Sequence, residues 1–140
     1  MTVSRKVHPH IARLRREFSL AKVRARYEAI GHTPARGTYG IVAPHSCLLG
    51  SFEHMLALAG GHIKRGECMA ADGDLEVLGE ATKLPPGLLE GLEAGWEGWD
   101  TDLETSATTI RRLHKIPKAQ FIAAYRHGES LAKVLVGAKA

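Results

Sequence analysis

Residues 78–100 read LGEATKLPPGLLEGLEAGWEGWD, and this stretch decides the fold class. A Lys-Leu-Pro-Pro turn separates two short segments, and proline in the first turn of a helix costs no hydrogen bond. Large apolar residues of the second segment recur at helical spacing: Leu88, Leu89, Leu92 and Trp96. The stretch therefore predicts a helical hairpin whose second helix opens at Pro85 and Pro86.

Helical periodicity continues on both sides of this hairpin. Apolar positions from Pro9 to Ile30 predict one long basic helix, which Gly31 and Pro34 end. Capping residues then mark four further helices. These are expected from Ser46 to about Ala59, from Asp74 to about Lys83, from Thr101, with Glu104 in a capping box, to about Lys115, and from Pro117 onward with a bend near Gly128.

The remaining long connection is TPARGTYGIVAPH, residues 33–45, whose prolines and glycines predict a loop with at most one short extended piece. No convincing strand, repeat or linker occurs elsewhere. A length of 140 residues suits one core. The predicted fold is all-α: residues 1–140 form a single compact domain of five to six helices, with a basic N-terminal helix 9–30, a loop 31–45 and a helical core 46–140.

Composition excludes several classes of protein. With 44% hydrophobic and 24% charged residues, the chain lies outside the disordered and membrane-embedded ranges. No apolar run approaches the roughly 20 residues of a membrane span, so no membrane partner is expected. The basic N-terminus lacks the apolar core of a secretory signal, which indicates the cytoplasm, with an organelle transit peptide as the alternative. Cys47 and Cys68 are expected to be reduced.

Charge is distributed unevenly along the chain. Residues 1–36 hold nine Lys or Arg against two acids, residues 67–104 hold eleven acids against one Lys, and residues 105–140 hold seven basic residues against one acid. The candidate basic face comprises Arg13, Arg15, Arg16, Lys22, Arg24 and Arg26. Such complementarity favours protein–protein contacts, including self-association, and the same cations could instead bind nucleic-acid phosphates.

The hairpin resembles the helix-turn-helix of the Cro and phage-repressor class. The matching positions are Leu78, Gly79, Glu80, Lys83, Leu84, Pro85, Leu89, Glu93 and Gly95. The resemblance implies DNA binding, but a recognition helix needs Arg, Lys, Asn or Gln to address base edges. The charged side chains of residues 86–97 are only Glu90, Glu93 and Glu97, so we predict an acidic docking face there.

A second resemblance covers roughly residues 38–100. A Cys-x-x-Gly helix start at Cys47 and Gly50, followed by the Leu-Pro-Pro hairpin and an aromatic-acidic ending, is similar to a group of small bacterial proteins. That group carries no known activity. The resemblance therefore implies a fold and not a function.

Candidate chemistry is sparse. Cys47 at a helix start is a possible nucleophile, because helix N-terminal amides lower a thiol pKa, but no orienting base is evident. Cys47, His54, His62 and Cys68 are zinc-ligand types without the spacing of a compact site, so no metal and no cofactor are expected. The run Asp72–Glu76 lacks the later residues of a calcium loop.

These observations favour a non-enzymatic helical binding or assembly protein that acts through charge-complementary protein contacts. Its expected partner is another protein or a second copy of the chain. Nucleic-acid binding through the basic N-terminal helix is one alternative hypothesis. An enzyme with Cys47 as its nucleophile is the other.

Overall fold

A computed structural model of the chain describes residues 7–36, 45–69, 75–98 and 116–137. Its elements are α1 (Pro9–Glu17), α2 (Leu20–Ile30), β1 (Thr33–Pro34), β2 (His45–Ser46), α3 (Leu48–Ala59), α4 (Leu75–Thr82), α5 (Pro86–Glu97) and α6 (Lys118–Leu135). This mostly helical architecture confirms the predicted all-α class. The helix expected at 101–115 lies outside the described residues.

Helix α5 forms the centre of the core. Nine of its twelve residues are buried, and it contacts α3, α4 and α6. Glycines at three positions and leucines at three others make most of its surface apolar, and a mostly apolar helix belongs inside a domain. No helix in the described ranges is long and apolar enough to cross a membrane.

Helices α5 and α6 approach each other almost backbone to backbone. A Cβ atom added at Gly95 would overlap the Tyr125 carbonyl, and one added at Gly128 would overlap the Leu92 carbonyl. Only glycine leaves room for these contacts. Helix α6 runs through Gly128 without a break, and this glycine serves close packing.

The N-terminal helical region is divided, and the prediction of a single helix from 9 to 30 is wrong. Helix α1 ends at Glu17, and the Ser19 hydroxyl accepts a hydrogen bond from the Lys22 amide at 3.3 Å to cap α2. The break places Phe18, which is 1% exposed, in the core.

A short parallel pairing brings the two ends of the long loop together, with Thr33 opposite His45 and Pro34 opposite Ser46. Because each strand is only two residues long, no local sequence pattern predicts either of them. Helix α3 also begins one residue later than expected, with Cys47 in place of Ser46 as the N-cap. The pairing places the segment that follows α2 beside the residues that precede α3.

Candidate metal centre

Three segments that are distant in sequence bring His32, His54 and Cys68 together. His32 follows Gly31, whose left-handed backbone (φ 72°) ends α2, while His54 lies within α3 and Cys68 lies on the segment after α3. One ligand atom from each residue lies within 4.8 Å of the other two. Two imidazoles and a thiol form a donor set that suits zinc.

The orientation of His54 is fixed on both edges of the ring. Its Nδ1–H donates to the Gly50 carbonyl at 2.7 Å, and its Nε2 accepts a hydrogen bond from the Met69 amide at 3.1 Å. The carbonyl can only accept and the amide can only donate, so the proton lies on Nδ1. The Nε2 lone pair therefore faces the segment that carries Cys68.

His32 is held in the opposite tautomer. Its Nε2–H donates to the Glu67 carbonyl at 2.7 Å, and its Nδ1 accepts from the Ser46 hydroxyl at 3.1 Å. The Tyr27 hydroxyl, in turn, donates to the Ser46 carbonyl at 2.9 Å and anchors this residue. A serine hydroxyl can also accept a hydrogen bond. The His32 proton can therefore move to Nδ1 while its contact with Ser46 is kept.

The spacing within the cluster matches that of a shared metal ion. Cys68 Sγ lies 3.6 Å from His32 Nε2. Tetrahedral zinc with its usual Zn–S and Zn–N bond lengths holds such a pair about 3.6 Å apart. The rings of His32 and His54 meet edge to face, with centroids 4.7 Å apart. Both rings are buried and Cys68 is half-buried, so the cluster has one side toward solvent.

Burial affects both kinds of ligand in this cluster. It lowers the pKa of His32, against the opposing effect of the Glu67 carbonyl, and it raises the pKa of the Cys68 thiol. The imidazole is therefore neutral near neutral pH, the form that binds a metal ion.

A second cluster lies at the first turn of α3. Cys47 Sγ accepts a hydrogen bond from the Gly50 amide at 3.4 Å, and Glu93 Oε1 accepts one from the Leu49 amide at 3.4 Å. Atoms of Cys47, Glu93 and Glu97 lie within 4.8 Å of one another.

Burial, first, and the charge of Glu97 raise the pKa of Glu93 to about 8. Burial also raises the pKa of the Cys47 thiol, and Glu93 adds to this effect. The amides at the helix start favour the thiolate form of Cys47. Burial and the neighbouring carboxylates oppose that form more strongly. These surroundings weigh against a nucleophilic role for Cys47, which is 0% exposed.

The prediction of an acidic docking face on α5 is wrong for two of its three residues. Glu93 is 2% and Glu97 9% exposed, because both point from the central helix into the core, while Glu90 is half-buried. A surface partner cannot reach such carboxylates. Self-association stays a prediction, but the buried Glu93 and Glu97 cannot contribute to it.

The predicted basic face divides into two groups. Arg15, Arg16, Lys22 and Arg24 are exposed on α1 and α2. Arg13 instead donates through Nε to the Thr82 carbonyl at 2.8 Å, and the half-buried Arg26 guanidinium lies 5.0 Å and 4.7 Å from the ring centroids of Phe18 and Phe52. The last two arginines therefore pack within the fold.

Sequence reasoning considered His54, Cys68, Cys47 and His62 as ligands and missed His32. The structure joins the first two with His32, places Cys47 in the other cluster and leaves His62 exposed. The signal for His32 was weak, since it follows a helix-ending glycine and its neighbours carry no ligand pattern. The packing of α2 against α3 and the β1–β2 pairing bring it to the site.

The chain matches no protein-family model, no curated protein and no solved structure. Its own residues therefore carry the functional argument.

Proposed function

We propose that this protein binds a transition-metal ion of the zinc class through His32 Nε2, His54 Nε2 and Cys68 Sγ. The observation that supports it most is the convergence of one ligand atom from each residue, each from a different segment, within 4.8 Å. Both imidazoles also have Nδ1 held by a polar partner, as is usual for histidines that bind metal.

Binding requires small local changes. At His54 the ion takes the lone pair that now accepts from the Met69 amide. At His32 the ring proton moves to Nδ1 and is donated to Ser46, which frees Nε2 from the Glu67 carbonyl. Cys68 loses its proton to become a thiolate. The ion thus replaces hydrogen bonds that hold residues 67–69 against α2 and α3.

Three protein ligands leave one position of a tetrahedral ion for water or another small ligand. A surface cavity of about 580 Å³ borders His32, and Arg24 and Arg65 lie on its lining. The cavity provides space beside the His32 ring through which water or another small ligand could reach the ion. We therefore propose an open metal centre.

Zinc titration calorimetry on the metal-free protein tests the proposal. Cys68→Ser should bind at this centre at least about 100-fold more weakly, since loss of a direct ligand costs at least as much as loss of its supporting partner. His62→Gln is the matched control because His62 is exposed and outside the cluster. Equal affinity in Cys68→Ser and wild type would refute the proposal.

Nucleic-acid binding is a second candidate, favoured by a basic groove between α1 and α6. A cavity of about 510 Å³ there is lined by Arg15, Arg126, His127 and Ser130, among others. Guanidinium groups that contact phosphates give affinity that falls steeply with salt. Duplex DNA and RNA titrations on wild type and an Arg15→Ala, Arg126→Ala variant test it. No binding at about 50 mM salt would remove this candidate.

A further inference from the structure

Cys47, Glu93 and Glu97 form an inner cluster that the proposed zinc centre does not use. Glu93 and Glu97 are four residues apart on α5, a spacing that puts two side chains on one face of a helix. Cys47 comes from the N-cap of α3 and completes the group. Two carboxyl groups from α5 and a thiol from the start of α3 thus converge inside the core.

This convergence is costly without a cation. Buried carboxylates need paired charges or several hydrogen bonds. Glu93 is 2% exposed, and its Oε1 accepts a long hydrogen bond of 3.4 Å from the Leu49 amide. The Cys47 thiol is its other hydrogen-bonding neighbour, and Glu93 Oε2 has no hydrogen-bond partner within the described parts of the chain. The unpartnered oxygen belongs to the same compact group as Cys47 Sγ and the Glu97 carboxylate.

The ligand types indicate which cation would suit the group. Calcium and magnesium prefer sites made of oxygen alone, whereas a thiolate beside carboxylates suits borderline ions such as Zn²⁺ and Fe²⁺. A divalent ion would offset most of the negative charge that the two carboxylates and the thiolate bring into the core.

We propose that Cys47, Glu93 and Glu97 form a second, interior site for a divalent transition-metal ion, independent of His32, His54 and Cys68. The ion contacts Cys47 Sγ and one oxygen of each carboxylate. Because Cys47 is 0% exposed, the ion enters during folding. It joins the first turn of α3 to the last turns of α5.

Zinc content after refolding in excess Zn²⁺ and dialysis tests the proposal. Wild type should retain about two ions per chain, Glu93→Gln about one, and Cys68→Ser about one, because each change removes one of two independent sites. Glu90→Gln, on the same helix but outside the cluster, should match wild type. A Glu93→Gln protein that retains as much zinc as wild type would overturn the proposal.

X-ray absorption on zinc-loaded Cys68→Ser provides a second readout that does not depend on the Glu93 variant. The remaining ion should show sulfur and oxygen neighbours without imidazole scattering, since the inner cluster contains no histidine. Imidazole scattering, or no retained zinc, would overturn the inner site. If the outer centre binds no zinc even in wild type, the signal from the inner cluster in Cys68→Ser should be unchanged. The two proposals can therefore fail separately.

Discussion

Helix α5 meets its two main neighbours in opposite ways. Toward α6 it presents Gly91 and Gly95, which allow contact with Phe121 and with the Tyr125 backbone. Toward α3 it presents Glu93, an ionisable side chain fully enclosed in the core. The first interface gains stability from close packing, whereas the second keeps a costly ionisable group inside the protein. This difference indicates that the α3 side of α5 has a role besides stability.

The largest expected effect lies on the packed side. Gly95→Val should destabilise the protein by more than about 4 kcal/mol, because the new side chain would overlap the Tyr125 backbone, which cannot move without displacing α6. Urea unfolding followed by circular dichroism measures this change. Ala119→Val, at an exposed position of α6, is the control. A Gly95→Val protein of wild-type stability would show that the close approach of α5 and α6 is wrong.

On the charged side, Glu93→Gln should stabilise the chelator-treated protein by about 3 kcal/mol at pH 7, since folding holds the acid neutral while the unfolded chain ionises it. The folded pKa is raised from 4.5 to about 8. The contribution of Glu93 to stability is therefore most favourable below about pH 4.5, and it falls by about 1.4 kcal/mol per pH unit as the pH rises toward 8. Urea unfolding at several pH values measures it.

The groups that act on Glu93 are Glu97, Cys47 and Glu53, together with the Leu49 amide. Glu90→Gln should retain the wild-type pH dependence. If Glu93→Gln showed the same slope as wild type between pH 5 and about 8, the enclosed acid would not be the cause.

The outer centre depends on its supporting partner. Ser46→Ala removes the hydroxyl that contacts His32 Nδ1, so zinc affinity should fall about 10- to 100-fold. Any affinity for calcium or magnesium should change little, because these ions prefer oxygen ligands. Competition with a chromophoric chelator measures this affinity. Ser130→Ala, exposed on α6, should have no effect. An unchanged zinc affinity in Ser46→Ala would contradict the role assigned to that contact.

The smallest effect concerns a surface ion pair across the α1–α2 break. Lys22 Nζ lies 3.1 Å from Glu17 Oε2, and this hydrogen bond lowers the pKa of Glu17. The pair stabilises the fold above the unfolded pKa of Glu17, and that contribution is lost as pH falls through the lower folded value. Lys22→Met should cost less than about 0.5 kcal/mol. A loss above about 1 kcal/mol in thermal unfolding at neutral pH would contradict this assignment.

The helical elements could be predicted because periodicity and capping are local properties of the sequence. Pro85 and Pro86 open α5 as expected, and Pro117 opens α6. Phe18 and Ser19 misled the prediction because nothing local distinguishes a buried break from one more turn of helix. The role of Gly128 in close packing against α5 could not be predicted, because such packing is a tertiary effect.

The candidate centre could be predicted only in part. His54 and Cys68 are visible as ligand types, but their partner His32 arrives through a pairing of two-residue strands that no local pattern reveals. Glu93 was assigned to the surface because its charge was considered without its surroundings. The flanking sequence, LLEGLEAGWE, is otherwise made of leucine, glycine, alanine and tryptophan, and this apolar composition is the signal for a buried helix.

The ring protons of His32 and His54 test the central proposal most directly. Nitrogen-15 NMR of the imidazoles in metal-free protein should show His54 protonated on Nδ1 and His32 on Nε2, as their hydrogen bonds require. On addition of Zn²⁺, His32 should change to the Nδ1 tautomer and both Nε2 signals should shift, while His62 stays unchanged. If neither Nε2 signal responds to Zn²⁺, these rings only fix the 67–69 segment and the metal centre does not exist.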